Sequence, residues 1–200
     1  MGRVVVSKVE LLEQAVRAVC KELAFAVDQP IVLQGMRCAS ARRRPCGAGG
    51  VQISFKLAFE FRGLGLHGAL LLPLSESLAL AARLLLLPEE LVELARGRSA
   101  PDESEKEVLL ELGKEIASAL ERSLGTTLSE PLMVRSSGCQ GVRAGVRPNF
   151  PYREGDELWV ARFACGAGYS PPFEGYLILP SLATAATRSV LPFARCKSSA

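Results

Sequence analysis

Glu111, Lys114, Glu115 and Ser118 are chemically capable side chains that fall on one wet side of a helix, opposite its leucines. A carboxylate there can grip a cation. An ammonium can donate to an anion but accept nothing, and a hydroxyl can do both. The bland alternative is a surface pair: Glu and Lys three residues apart stabilise a helix by about 0.2–0.5 kcal/mol and need no further role. Other reactive types are scattered. Six cysteines (Cys20, Cys38, Cys46, Cys139, Cys165 and Cys196) stand singly with no C-x-x-C, and the one histidine is His67. Zinc sites draw ligands in closely spaced pairs, and Gly47-x-Gly49-Gly50 and Gly166-x-Gly168 lack the strand-to-helix setting of a dinucleotide loop, so neither a metal nor another cofactor is expected in this chain. Arg42-Arg43-Arg44 is the only basic cluster. With no aromatic residues interleaved it reads as a solvated loop. His67 alternates out of phase with Leu66, Leu70 and Leu72, which predicts a solvent-side residue.

Two hundred residues fit one domain, and 48 % hydrophobic with 22 % charged residues excludes a disordered or collagen-like chain. The net charge of +3, from 24 basic and 21 acidic residues, is too small to argue for nucleic acid or a polybasic membrane anchor. The longest apolar run, Leu78–Leu87, carries Arg83 and is half of what spans a bilayer, about 20 residues. Val4-Val5-Val6 is too short for the apolar stretch of a secretory leader. These features predict a cytoplasmic protein with reduced thiols.

Hydrophobic periodicity supplies the elements. Lys8 to Val27 reads as an amphipathic helix with a Ser7/Glu10 capping box, ended by Asp28-Gln29-Pro30. A short strand, 31–36, precedes a loop over 38–50. Val51 to Arg62 alternates strictly and predicts a strand buried on one face; a turn at 63–65 leads to a returning strand, 66–72. Pro73 closes it, Ser75 caps a helix over 76–87, and Pro88 opens another to about Arg96. Ser104/Glu107 predicts the cap of a second long helix that Gly125 stops. Strands are predicted at 133–137, 142–146, 158–165 and 175–179.

The order long helix, three strands, proline, small apolar helix occurs twice. Gly68-Ala-Leu-Leu-Leu-Pro73 matches Gly175-Tyr-Leu-Ile-Leu-Pro180, and Glu10–Val16 aligns with Glu111–Ala117. The expectation is an α/β (α+β) domain over residues 1–180, with half-repeats of about 5–96 and 103–180, and a short helix and tail over 181–200. Its sheet has about six mostly antiparallel strands, with the two long helices on one face.

With Ala79–Leu85 and Glu105–Leu120, those segments resemble the CheC/CheX/FliY family of chemotaxis phosphatases, CheX-like domains in particular. The resemblance implies a homodimer that binds a phosphorylated CheY-type response regulator and speeds loss of its aspartyl phosphate. In that family a helix carries Glu-x-x-Asn. The glutamate grips a lysine of the regulator, the asparagine aligns the attacking water, and the regulator supplies the magnesium ion. Carried over, the glutamate is Glu111, and Lys114 stands at the asparagine position, with Glu115 and Ser118 beside them on the partner-facing side. In the first half the corresponding residue is Glu13. An ammonium cannot accept a hydrogen from water, so the departure implies either an altered phosphatase or a non-catalytic binding or self-associating, flagellar-switch-like module.

Overall fold

A computed structural model describes residues 7–46, 49–128, 130–167 and 172–182. In chain order the elements are α1 (Lys8–Ala26), β1 (Ile31–Ala41), β2 (Gln52–Phe61), β3 (Leu64–Pro73), α2 (Leu74–Leu84), α3 (Glu89–Arg96), α4 (Glu103–Leu128), β4 (Leu132–Val142), β5 (Leu158–Ala167) and β6 (Phe173–Pro180). The strands form one six-stranded antiparallel sheet in the order β1-β5-β6-β3-β2-β4. Exchanging β1 with β4, β2 with β5 and β3 with β6 turns that order into its own reverse. The centre of this pseudo-two-fold is the β3–β6 ladder, where Leu70 pairs with Leu177 and Ala69 and Leu71 pair with Ile178 and Tyr176.

The alternation in β2 places Ile53, Phe55, Leu57, Phe59 and Phe61 in the main core. There they join the apolar stripes of α1 (Leu12, Val16, Leu23) and α4 (Leu109, Ile116, Leu120). The opposite face is not simply wet. The segment between β4 and β5 folds over it, so that Phe150 and Tyr152 pack with Leu71, Leu158, Val160 and Ile178 as a second apolar cluster. His67 belongs to this covered face and is half-buried rather than solvent-side, and burial holds its imidazole below the usual range. Arg44 is likewise part of the structure. Its guanidinium donates to the carbonyls of Pro148 and Phe150 at 3.0 and 3.2 Å and lies over the Phe150 and Tyr152 rings, whereas Arg42 and Arg43 are exposed as expected.

Several boundaries differ from the sequence reading, each for a local reason. β1 continues through residues read as loop to Ala41, because a bulge between Leu33 and Gly35 shifts the inward phase and hides the alternation. A second bulge, opposite Phe55/Leu57, contains Gly138 at φ +101° and carries the strand read as 133–137 on to Val142. The strand expected over 142–146 is absent: after Val142 the chain turns, with the Val146 amide donating to the Arg143 carbonyl and Gly145 at φ +72°. Leu86 ends α2 early. It takes φ +57°, and the amides of Leu86 and Leu87 donate to the carbonyls of Arg83 and Ala82, the Schellman pattern with leucine in the place glycine favours. Pro73, not Ser75, sits at the start of α2. Gly125 does not stop α4, whose last turn is held by Thr126 and Thr127 hydroxyls donating to Arg122 and Ser123 carbonyls. Ser181 and Leu182 are buried; the remainder of the expected C-terminal helix and tail lies outside the described residues.

The capping box of α4 is Asp102 with Glu105 rather than Ser104 with Glu107. The Glu105 amide donates to Asp102 Oδ1 and the Asp102 amide donates to Glu105 Oε2, both at 2.9 Å. Glu105 is buried and also pairs with Arg98. Glu105→Ala therefore removes a cap and strips a buried partner from its neighbours. A loss of about 2 kcal/mol is expected, read as a melting temperature lower by roughly 4–8 °C.

α2 and α3 are joined by a buried charge. Glu76 Oε2 lies 3.2 Å from Arg96 Nη2, and both side chains are 11 % exposed. Burial pushes the Glu76 carboxyl above its usual 4.5, an effect that Arg96 and Arg83 oppose and Glu93 reinforces. Just above pH 4.5 the folded chain thus keeps a proton that the unfolded chain has released. This group's contribution to stability is complete below that pH and declines as pH rises through its folded pKa. Glu76→Gln is expected to flatten that limb of the stability profile, measured as urea midpoints from pH 4.5 to 7.

Candidate functional site on helix α4

α4 is pressed against the sheet where Gly113 faces it. A Cβ there would stand 3.0 Å from Ser136 Oγ and 3.3 Å from Phe55 Cδ1, so the absence of a side chain sets the helix-to-sheet distance. Leu109, Leu112, Ile116 and Leu120 point inward from the same turns. This fixes the opposite face, where Glu111, Lys114, Glu115 and Ser118 are all exposed.

Lys114 Nζ donates to Glu111 Oε1 at 2.6 Å, and the two side chains are 62 % and 69 % exposed. They form one wall of a shallow cleft with Glu107 and Leu110, and Ser136 and Gly138 of the β4 bulge form the other. Glu115 and Ser118 lie on the same helix face but outside this cleft. Ser136 and Gly138 escaped the sequence reading. The available signal was a glycine inside a strand-like run, which commonly marks a bulge. On α1, Glu13 pairs with Arg17 at 2.7 Å, so the matched position there also carries a surface ion pair.

The arrangement offers the paired carboxylate and ammonium of Glu111 and Lys114, with a second carboxylate from Glu107, at a concave, solvent-open surface. Glu111 retains a second oxygen and Lys114 further N–H donors, enough to bind a cation and an anion side by side. Among the described residues no three His, Cys, Asp or Glu side chains gather as a metal site. Among the same residues no helix is long and apolar enough to cross a membrane.

The chain superimposes on FliY from Thermotoga maritima with a TM-score of 0.65 at 14 % identity, covering 93 % of this chain and 98 % of that one. This is the CheC/CheX/FliY fold. The FliM middle domain from H. pylori matches with a TM-score of 0.58 at 12 % identity over 88 % of this chain and 91 % of its own. The chemotaxis protein CheX from Vibrio vulnificus matches at 0.53 and 9 % identity, over 84 % and 99 %. No family sequence profile and no curated protein sequence matches the chain. At these identities the likeness to CheC, CheX, FliY and FliM is one of fold, and the residues of α4 must carry any argument about activity.

Proposed function

We propose that this chain is a chemotaxis or flagellar-switch signalling domain whose α4 face docks a phosphorylated CheY-type response regulator and holds it without hydrolysing the aspartyl phosphate. The observation that carries the reading is the exposed Glu111–Lys114 pair at 2.6 Å, set in the cleft between α4 and the β4 bulge. The free oxygen of Glu111 suits a lysine of the regulator. The remaining donors of Lys114 suit a phosphoryl group or the acidic cluster around it. What Lys114 lacks is an acceptor for a water hydrogen, so it can attract the phosphoryl group but cannot orient an attacking water as an amide does. Any magnesium ion in such a complex belongs to the regulator.

A second reading is a self-associating scaffold. It draws support from the leucines left exposed around α3, Leu86, Leu91 and Leu94, and from the shared fold with FliM, which has been crystallised with FliG. One experiment separates the two. A CheY-type regulator is phosphorylated with acetyl phosphate, and phosphate loss and binding are followed with and without this protein. Binding with unchanged or slower phosphate loss, weakened about tenfold or more by Glu111→Ala, is the expected result. Faster phosphate loss would make the protein an active phosphatase. Absent binding, with assembly that grows with concentration in sedimentation, would favour the scaffold.

A further inference from the structure

Cys20 on α1 and Cys165 on β5 are 145 residues apart in sequence, yet their sulfur atoms lie 3.1 Å from each other. Both are in the main core, Cys165 fully and Cys20 with 4 % of its surface exposed, and neither lines the α4 cleft. The sequence reading treats the cysteines as independent reduced thiols, and the described ones are free. Two thiols in direct contact behave differently from two isolated ones. One donates its hydrogen to the other, so the acceptor sulfur is stabilised as a thiolate while the donor stays protonated. Cys20 is the acceptor favoured for ionisation: the hydrogen bond from Cys165 lowers its pKa against the effect of burial, and the Arg17 guanidinium one turn earlier adds to the lowering. Cys165 is pushed the other way by that hydrogen bond, by burial and by the neighbouring sulfur.

We infer that Cys20 and Cys165 are a built-in disulfide-forming site, closed by a peroxide, which staples α1 to β5. The Cys20 thiolate attacks one oxygen of hydrogen peroxide; an S–O bond forms, the O–O bond breaks, and hydroxide leaves to take up a proton as water. The Cys165 sulfur then attacks the sulfenic sulfur. An S–S bond forms, the S–O bond breaks, and the oxygen departs with the Cys165 proton as a second water. Two thiols have lost two electrons and the peroxide has gained them. Peroxide is close to water in size, which suits the slight opening at Cys20. Bond formation brings the sulfurs to about 2.05 Å, a movement of only about 1 Å from where they stand.

The test uses the full chain, treated with hydrogen peroxide, denatured, alkylated without reductant and digested. A peptide linking Cys20 to Cys165 is expected, with an intact mass lower by about 2 Da and a melting temperature higher by roughly 5–15 °C, both reversed by dithiothreitol. Cys20→Ser and Cys165→Ser are each expected to abolish the link, and Cys38→Ser and Cys139→Ser to leave it intact. The mapping on the unaltered chain decides the matter even where a buried serine impairs folding. A sulfenic or sulfonic acid at Cys20 with no link, a link between any other two cysteines, or Cys20 and Cys165 both still alkylatable after exposed Cys46 has been oxidised would each overturn the inference.

Discussion

Gly68→Ala is expected to be the most damaging single methyl group that can be added to this sheet. A Cβ at Gly68 would fall inside the contact radius of the Ile178 carbonyl oxygen and 3.1 Å from Phe59 Cε2. The first obstacle is backbone of β6 in its ladder with β3, which cannot rotate away, and it adjoins the Leu70–Leu177 pair at the centre of the pseudo-two-fold. Overpacking of this kind costs about 3 kcal/mol or more where the neighbour is fixed. Gly175, its counterpart in the other half, would meet the Phe163 ring and Leu72 instead. Side chains can shift, so Gly175→Ala is expected to cost less, about 1–3 kcal/mol. Gly65, in the same strand as Gly68, has nothing within 4 Å and is the control, with an effect near zero. Urea midpoints for the three variants give the ranking; equal losses at Gly65 and Gly68 would refute the close approach of β3 and β6.

The second large effect is a gain. Lys114→Asn introduces a group that can donate to and accept from the same water, on a face already exposed and already beside Glu111. If the regulator docks there, phosphate loss is expected to rise by about tenfold or more. The substitution removes one exposed ion pair, a change of only about 0.2–0.5 kcal/mol, so the melting temperature should barely move. Activity and stability therefore separate cleanly in this variant. A regulator that binds Lys114→Asn as before and loses phosphate no faster would place the contact elsewhere on the surface.

Much of this architecture was legible because it obeys simple periods. The strict alternation of β2 and the stripes of α1 and α4 identify the main core, and the Gly68–Pro73 and Gly175–Pro180 match marks the two strands that meet at the sheet centre. The misreadings cluster where a local device breaks the period. The bulges in β1 and β4 each add a residue and reverse the inward phase, so a long strand reads as a short one. The second apolar cluster was invisible for a different cause. Phe150 and Tyr152 sit in a segment with no period of its own, and only the tertiary fold lays them over Leu71 and Ile178. The same holds at the candidate site. Glu111 and Lys114 are neighbours on one helix and can be read together, but Ser136 and Gly138 reach them only across the sheet. The contact of Cys20 with Cys165, between a helix and a distant strand, carries no sequence signal at all.

The strand order has a kinetic corollary. β1 bonds to β5, and β4 to β2, so each half of the chain lends its leading strand to the other half. On the ribosome, Ile31–Ala41 has no hydrogen-bonding companion until Leu158–Ala167 has been synthesised, and for that interval its backbone must be solvated or shielded. Closing ladders of such long range is entropically expensive before any contact rewards it, which places this domain among slow folders, on the millisecond-to-second scale. Neither half is a self-sufficient unit; the nascent chain matures only when its last strands emerge.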